Sequence, residues 1–349
     1  MQSVPSVIIR EMQSGEEKTL LHMARRAFIH SPLEQLVISK PKSALVAEVD
    51  GAIAGAMFLR IFGAGEKKAG YLDIGFVNKE YRGLGIACVL YPFATEFLRE
   101  KGCDLVTAQV IDDNAASWKP LRNQGFGEPS LTGFVNLLGF GRAIRLWLQT
   151  HAFIACGSRL WIDSPVKKRG SVQELVSFLC MNLFLFLPWL IKLINQPNQF
   201  LAALLAYPSV LLVGVLFGGI GCIMTGGPWH FSFPRSGTLL TLLINIFGGL
   251  FPMVGRWYLE DPQATKQCRH SMGVQAAIEW AGMMVLFTLG TYLFKENAFL
   301  NYCTELTAQL LLYRMLPFLP FGGGRVWSWN KIVFSSFAIA TITLIFIVS

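Results

Sequence analysis

The chain has 349 residues, 53% of them hydrophobic and 27 of them Phe, and carries a formal net charge of +8. That length allows two domains, and that apolar content excludes an ordinary soluble protein throughout. Residues 1 to 140 balance 15 Lys/Arg against 15 Asp/Glu, whereas residues 141 to 349 carry 15 against 7, so the surplus belongs to the second half, where it suits a lipid bilayer and membrane-flanking loops rather than nucleic acid.

The N-terminal residues show no basic region followed by an apolar run, so no cleavable signal is expected and the first domain is placed in the cytoplasm. Val7 to Met12 is a β-branched run that reads as a strand, and 15 to 28 has apolar residues at helical spacing. Residues 44 to 49 and 53 to 61 flank Asp50-Gly51, a strong hairpin signal. A strand at 71 to 77, a helix at 85 to 101, a strand at 104 to 111, a helix at 114 to 124 and a strand from Phe126 complete a mixed α/β order. Between the strand and helix at 71 to 101, Gly83 and Gly85 let loop amides close on a phosphate, and the helix start adds a favourable dipole. A lone Gly-x-Gly is equally a glycine-shaped turn.

Arg82-Gly83-Leu84-Gly85-Ile86-Ala87 resembles the Arg/Gln-x-x-Gly-x-Gly/Ala signature of the GNAT superfamily of acetyl-CoA-dependent N-acetyltransferases. Asn114-Ala-Ala-Ser117, followed by Leu121 and Gly125-Phe126, is similar to that family's second element, and the likeness covers residues 7 to about 130. It implies an α/β GNAT fold: a largely antiparallel sheet, helices on both faces, split between its fourth and fifth strands. It also implies acetyl-CoA as co-substrate, with Phe76 and Val77 offering backbone groups to the pantetheine arm, residues 82 to 87 holding the pyrophosphate, and Asn114 reaching the pantetheine. Many such enzymes use a Tyr as general acid on the second-motif helix, where this chain has Leu121. Asp73, on the strand beside the split, is the candidate base. Tyr81, Tyr91 and Cys88 read as packing residues.

Residues 136 to 172 mix glycine, aromatics and basic groups, including Lys167-Lys168-Arg169, and read as a connector on a membrane surface. Long apolar runs follow near 174 to 194, 200 to 224, 237 to 255, 274 to 294 and 299 to 319, with a shorter one at 332 to 348, so 173 to 349 is expected to be an all-α membrane domain of five or six spans. If all six cross, the basic loops holding Arg256, Lys266, Arg269, Arg314, Arg325 and Lys331 fall outside, against the positive-inside rule. Making 237 to 255 re-entrant restores the rule.

Pro317 to Gly324 resembles the Pro-and-Gly element of site-2 protease-like intramembrane metallopeptidases, but Gly322 stands at the position of that family's zinc-binding Asp. None of the five histidines makes a His-Glu-x-x-His, so no metal is expected. Seven scattered cysteines suggest neither disulfides nor zinc. Glu279 and Glu305 lie in apolar runs with no partner that the sequence names.

The reading is thus an acetyltransferase domain at 1 to 135, the connector at 136 to 172, and a multi-pass membrane domain. The enzyme would acetylate an amine acceptor at or near the bilayer by direct transfer. The alternative is an acetyl-CoA sensor that regulates a non-proteolytic membrane domain, either a transporter or a substrate holder.

Overall fold

A computed structural model of the protein describes residues 7–29, 35, 37–64, 67–111, 113–152, 155–164, 169–260, 265–293, 297–318 and 320–348. The chain divides into two units, Met1–Ala152 with Ser158–Lys167, and Phe153–Gly157 with Lys168–Ser349. Lys167 and Lys168 lie outside the described residues.

The first unit is built on a six-stranded sheet in the order β1 (Val7–Glu11), β2 (Ser43–Val49), β3 (Ala52–Ala64), β4 (Lys67–Val77), β5 (Cys103–Ile111) and β6 (Ser158–Ile162). Every pairing is antiparallel except β4 with β5. The β2–β3 hairpin turns where the sequence places it, with Asp50 at φ 51° and Gly51 at φ 76°, two successive left-handed residues that match the strand twist. Helix α1 (Glu17–Ala27) buries Leu20 and Ala24 against Val46, Ala56, Phe58 and Phe76 on one face. On the other, α2 (Ile86–Glu100) and α3 (Ala115–Asn123) cover Leu45, Met57, Leu59 and Val106 with Leu90, Ala94, Leu98 and Leu121.

Two irregularities open this sheet. The β3–β4 register runs Gly55↔Val77, Ala56↔Phe76 and Met57↔Gly75, then jumps to Leu59↔Leu72, so Asp73 and Ile74 together face Phe58. That is a β-bulge, which re-aims side chains and bends its strand. At the same point β4 leaves β5: their parallel pairing ends at Leu72↔Ala108, and Gln109 to Ile111 pair onward with β6 alone. Residues 73 to 77 therefore carry one paired edge and one open edge.

No strand starts at Phe126; Gly127 makes one isolated bridge to Ile162. The chain instead forms α4 (Leu131–Leu138), whose Ser130 cap accepts from the Gly133 amide at 2.9 Å, and α5 (Phe140–Gln149). Phe134, Ala143 and Leu146 recur at helical spacing and bury against Leu105, Leu160 and Ile162, which outweighs the strand signal after Gly125. The sixth strand comes later, inside the stretch read as a connector, where Leu160 and Ile162 alternate inward.

The second unit packs α6 (Ser171–Leu190), α7 (Pro197–Thr225), α9 (Lys266–Leu293), α10 (Ala298–Arg314), α11 (Gly323–Trp329) and α12 (Lys331–Thr343) around one apolar core. A two-stranded hairpin, β7 (Trp229–Ser232) with β8 (Arg256–Leu259), encloses α8 (Thr238–Ile246). Among the described residues three helices, over Ser171–Leu193, Pro197–Thr225 and Lys266–Tyr292, are long and apolar enough to cross a membrane, rather than the five or six expected. The run at 299 to 319 falls short because its helix has 17 residues and stops at Arg314 before Pro317; Lys331–Phe346 is shorter again.

Segment 237 to 255 goes out and comes back. Ser232 hydrogen-bonds Glu174 at 3.2 Å near the start of α6, and Asn245 donates to the Leu185 carbonyl at 2.9 Å further along. A Cβ on Gly248, at φ 93°, would stand 3.0 Å from Lys192 Nζ. The Met253 amide then returns to Asn182 at 2.9 Å, and Gly255 lies against Phe178 and Phe231.

Three arginines counted above as loop charges are buried instead. Arg314 pairs with Glu279 and donates to the Phe321 carbonyl at 2.9 Å, and Arg325 donates to the Trp257 carbonyl at 2.8 Å and to Gln275 at 3.2 Å. Arg256 is buried on β8. Glu279 thus has its partner in Arg314, and Glu305 is exposed.

Candidate functional site

The open edge of β4 and the loop that follows it place most of the residues singled out in the sequence. Phe76 is buried in the α1 face and Val77 ends the strand. Asn78 fixes the exit by donating its side-chain amide to the Ile53 carbonyl at 2.8 Å. A 3₁₀ turn over Lys79–Tyr81 leads to Arg82, exposed and extended, whose Nε donates to the Val77 carbonyl at 3.2 Å.

Gly83 (φ 88°) and Gly85 (φ 74°) then turn the chain into α2. A Cβ at either would meet nothing within 4 Å, so it is the left-handed backbone, not crowding, that calls for glycine here. Leu84 is exposed, Ala87 half-buried and Ile86 fully packed into the core. No side chain caps α2 and its first turn holds no acidic residue, so its leading amides and the positive end of its dipole meet an open surface. Asn114 is the residue before α3 and its side chain caps nothing.

Asp73, in the bulge, lies on the face that carries Phe62 and Tyr71. Arg60 Nη2 donates to its Oδ1 at 3.0 Å, and Arg60 Nε stands 2.9 Å from Oδ2. The same guanidinium stacks 4.9 Å from the Tyr71 ring centre and 5.3 Å from that of Phe62. Burial pushes the Asp73 carboxyl above its ordinary range, with Arg60 and, more weakly, His151 pulling the other way. Nearby, Gln109 donates to Ser158 Oγ at 2.6 Å, while its carbonyl oxygen is buried without a hydrogen-bond partner.

The opposite face holds Tyr91, on α2. A Cβ on Gly75 would stand 3.2 Å from its hydroxyl and 2.7 Å from Met57 Cε, so Gly75 leaves room for both. Tyr91 is 7% exposed and hydrogen-bonded to Ser117 of α3; burial raises its pKa. Leu121, one turn further along α3, is fully buried.

Arg60, Gln109 and the Tyr91–Ser117 pair escape sequence reasoning. Each becomes visible only through strand register or helix packing, and no local pattern marks it. Among the described residues no three His, Cys, Asp or Glu side chains gather as a metal site.

Residues 10–126 match the model of the acetyltransferase (GNAT) family, and the first unit has that fold. A comparison with curated proteins finds no match. Similar solved structures include an aminoglycoside N-acetyltransferase in complex with CoA, 19% identical over 36% of this chain and 91% of that one, with a TM-score of 0.29. Another is the NatC complex bound to Gag peptide and CoA, 15% identical over 46% of this chain and 99% of that one, TM-score 0.29. A third is the N-acetylglutamate synthase from Neisseria gonorrhoeae complexed with coenzyme A and N-acetyl-glutamate, 17% identical over 47% of this chain and 36% of that one, TM-score 0.32.

Proposed function

We propose that the first unit is an N-acetyltransferase that moves an acetyl group from acetyl-CoA to an amine by direct transfer, and that the second unit tethers it to a membrane with the first unit in the cytoplasm. One observation carries this reading: β4 parts from β5 at Leu72, and its open edge runs straight into the Gly83–Gly85 turn at the uncapped start of α2. Open strand edges pair with extended ligands, and uncapped helix starts hold anions. The backbone of Phe76 and Val77 would take the pantetheine amides, residues 82 to 87 the pyrophosphate, and Asn114 the pantetheine from the α3 side. The co-substrate supplies the activated acyl carbon.

Asp73 is the proposed base. Its raised pKa suits a carboxylate that must take a proton from an incoming ammonium near neutrality, and the unpartnered Gln109 oxygen on β5 offers that ammonium an acceptor. The second unit is proposed to be non-proteolytic, since Gly322 lacks a side chain to bind metal. Stoichiometric zinc in chelator-washed protein would contradict that.

The test is calorimetric titration of CoA into the full-length protein. Gly85→Glu, which sets bulk and a carboxylate against the anion, should abolish binding, and unchanged affinity would overturn the assignment. A second reading, an acetyl-CoA sensor that regulates the membrane unit, draws on Leu121 and on the engagement of Asp73 by Arg60. Mass spectrometry of membranes with and without the protein separates the two, because only an enzyme leaves new acetylated lipids or peptides.

A further inference from the structure

The acid that direct transfer requires is missing from α3 at Leu121, a buried hydrocarbon, yet a phenol from another helix reaches Ser117, one turn earlier on α3. We propose that Tyr91 is the general acid of the acetyl transfer, held in place by Ser117. This rests on the acetyl-CoA reading above.

The placement follows from which elements the hydroxyl touches. Gly75 belongs to β4, on one side of the split; Ser117 belongs to α3, which follows β5 on the other side. A hydroxyl that sits beside Gly75 and bonds Ser117 joins the open segment of β4 to α3, the helix that follows β5. Asp73 and Gln109 lie on the opposite face of the sheet, so base and acid approach the split from its two sides. That separation is what direct transfer needs, because the amine attacks the carbonyl carbon from one side while sulfur departs on the other. Gly75 is part of the device: any side chain there would meet Met57 and the phenol.

In the reaction, the amine nitrogen forms a bond to the acyl carbon after Asp73 takes a proton, and the carbonyl π pair moves to oxygen. When that pair returns, the carbon–sulfur bond breaks with its electrons on sulfur, and the Tyr91 O–H bond breaks to give sulfur its proton. As the amide forms, its nitrogen gives up its second proton, which returns through water to the phenolate that Ser117 has held by a hydrogen bond, and Asp73 releases its own proton to solvent. The net products are CoA thiol, the acetylated amine and one proton. Burial keeps Tyr91 protonated at neutral pH, and so a donor, until sulfur develops charge.

The test needs no knowledge of the acceptor. Calorimetry on full-length protein compares CoA with desulfo-CoA, which differ only at the sulfur. Wild type should prefer CoA by about 3- to 10-fold, the worth of one hydrogen bond. Tyr91→Phe should bind both alike, at the desulfo-CoA affinity, with an unchanged melting temperature when unliganded. Ser117→Ala should narrow the preference without removing it. A preference that survives in Tyr91→Phe, or one absent from wild type, overturns the proposal. Failure of wild type to bind either compound overturns the acetyl-CoA reading beneath it.

Discussion

Asp73 sits under two opposed influences, and their balance sets where it can work as a base. Burial favours the neutral carboxyl, and the Arg60 guanidinium favours the carboxylate. Removing the cation leaves burial opposed only by the weaker pull of His151, so the pKa climbs further. Arg60→Gln should therefore move the acidic limb of kcat/KM against pH upward by about one unit or more, since an adjacent arginine depresses an aspartate by roughly that much. A limb that stays in place would mean that Asp73 is not the titrating base. Asp73→Asn should cost about a hundredfold in acetyl transfer with CoA affinity unchanged. The sequence exposes Gly83 and Gly85 because they sit in a turn that forces φ positive, and Asp73 because it lies on the strand that leads into that turn. Arg60 is hidden because what brings it to Asp73 is the β3–β4 register, bulge included.

Two polar clamps act between elements, one in each unit. Arg10 on β1 binds Glu16 at 2.7 Å and Glu48 of β2 at 2.6 Å, tying the first strand to its neighbour and to the turn before α1. Glu16 is held below the ordinary carboxylate value of 4.5, first by the Arg10 hydrogen bond. Its folded pKa lies below its unfolded one, so its contribution is present above the unfolded value and fades as pH falls through the folded one. Glu16→Gln should thus lower the melting temperature at pH 7, with the gap to wild type closing as the buffer is taken below the carboxylate range. A gap independent of pH would point to packing instead.

In the second unit Glu279 of α9 meets Arg314 of α10, and losing one member strands the other in an apolar core. Arg314→Met should cost about 3–5 kcal/mol, and adding Glu279→Leu should recover most of it in detergent melts. Such pairings are invisible in sequence because they join separate apolar runs. So is the β7–β8 hairpin, whose strands of four residues lie far apart in the chain. The strands and helices up to α3 are legible because each carries its own alternating or helical pattern, which the bulges in β2–β3 and β3–β4 interrupt only locally; β6 is not, because two helices intervene.

At the scale of the second unit, contacts order the residues along the direction of α9. Gly290 adjoins Thr304, Glu279 pairs with Arg314, and Gly273 adjoins Trp329, so α10 and α11 together retrace the length of α9 although neither helix is long. Trp280 donates to Thr341 at 3.0 Å and meets the rings of Phe334 and Phe337 edge to face, so α12 turns back along α9 again. Segment 237 to 255, by contrast, reaches Lys192 and returns to the Ser171 end of α6. We propose that in a bilayer this ordering makes five crossings, one of them interrupted between Arg314 and Gly323, with 237 to 255 re-entrant and its backbone buried in protein. Lys331 then lies on the side where the chain enters the unit at Ser171, and Asn195 on the other. In intact cells, with the native cysteines replaced, Asn195→Cys should react with an impermeant maleimide and Lys331→Cys should not until the cells are permeabilised. Three spans, formed by the long helices alone, would expose both positions, and so would six. Protection at 331 therefore tests whether packing order, rather than helix length, sets how this chain is threaded, and whether the interruption between Arg314 and Gly323 is a break inside a crossing rather than a loop at its end.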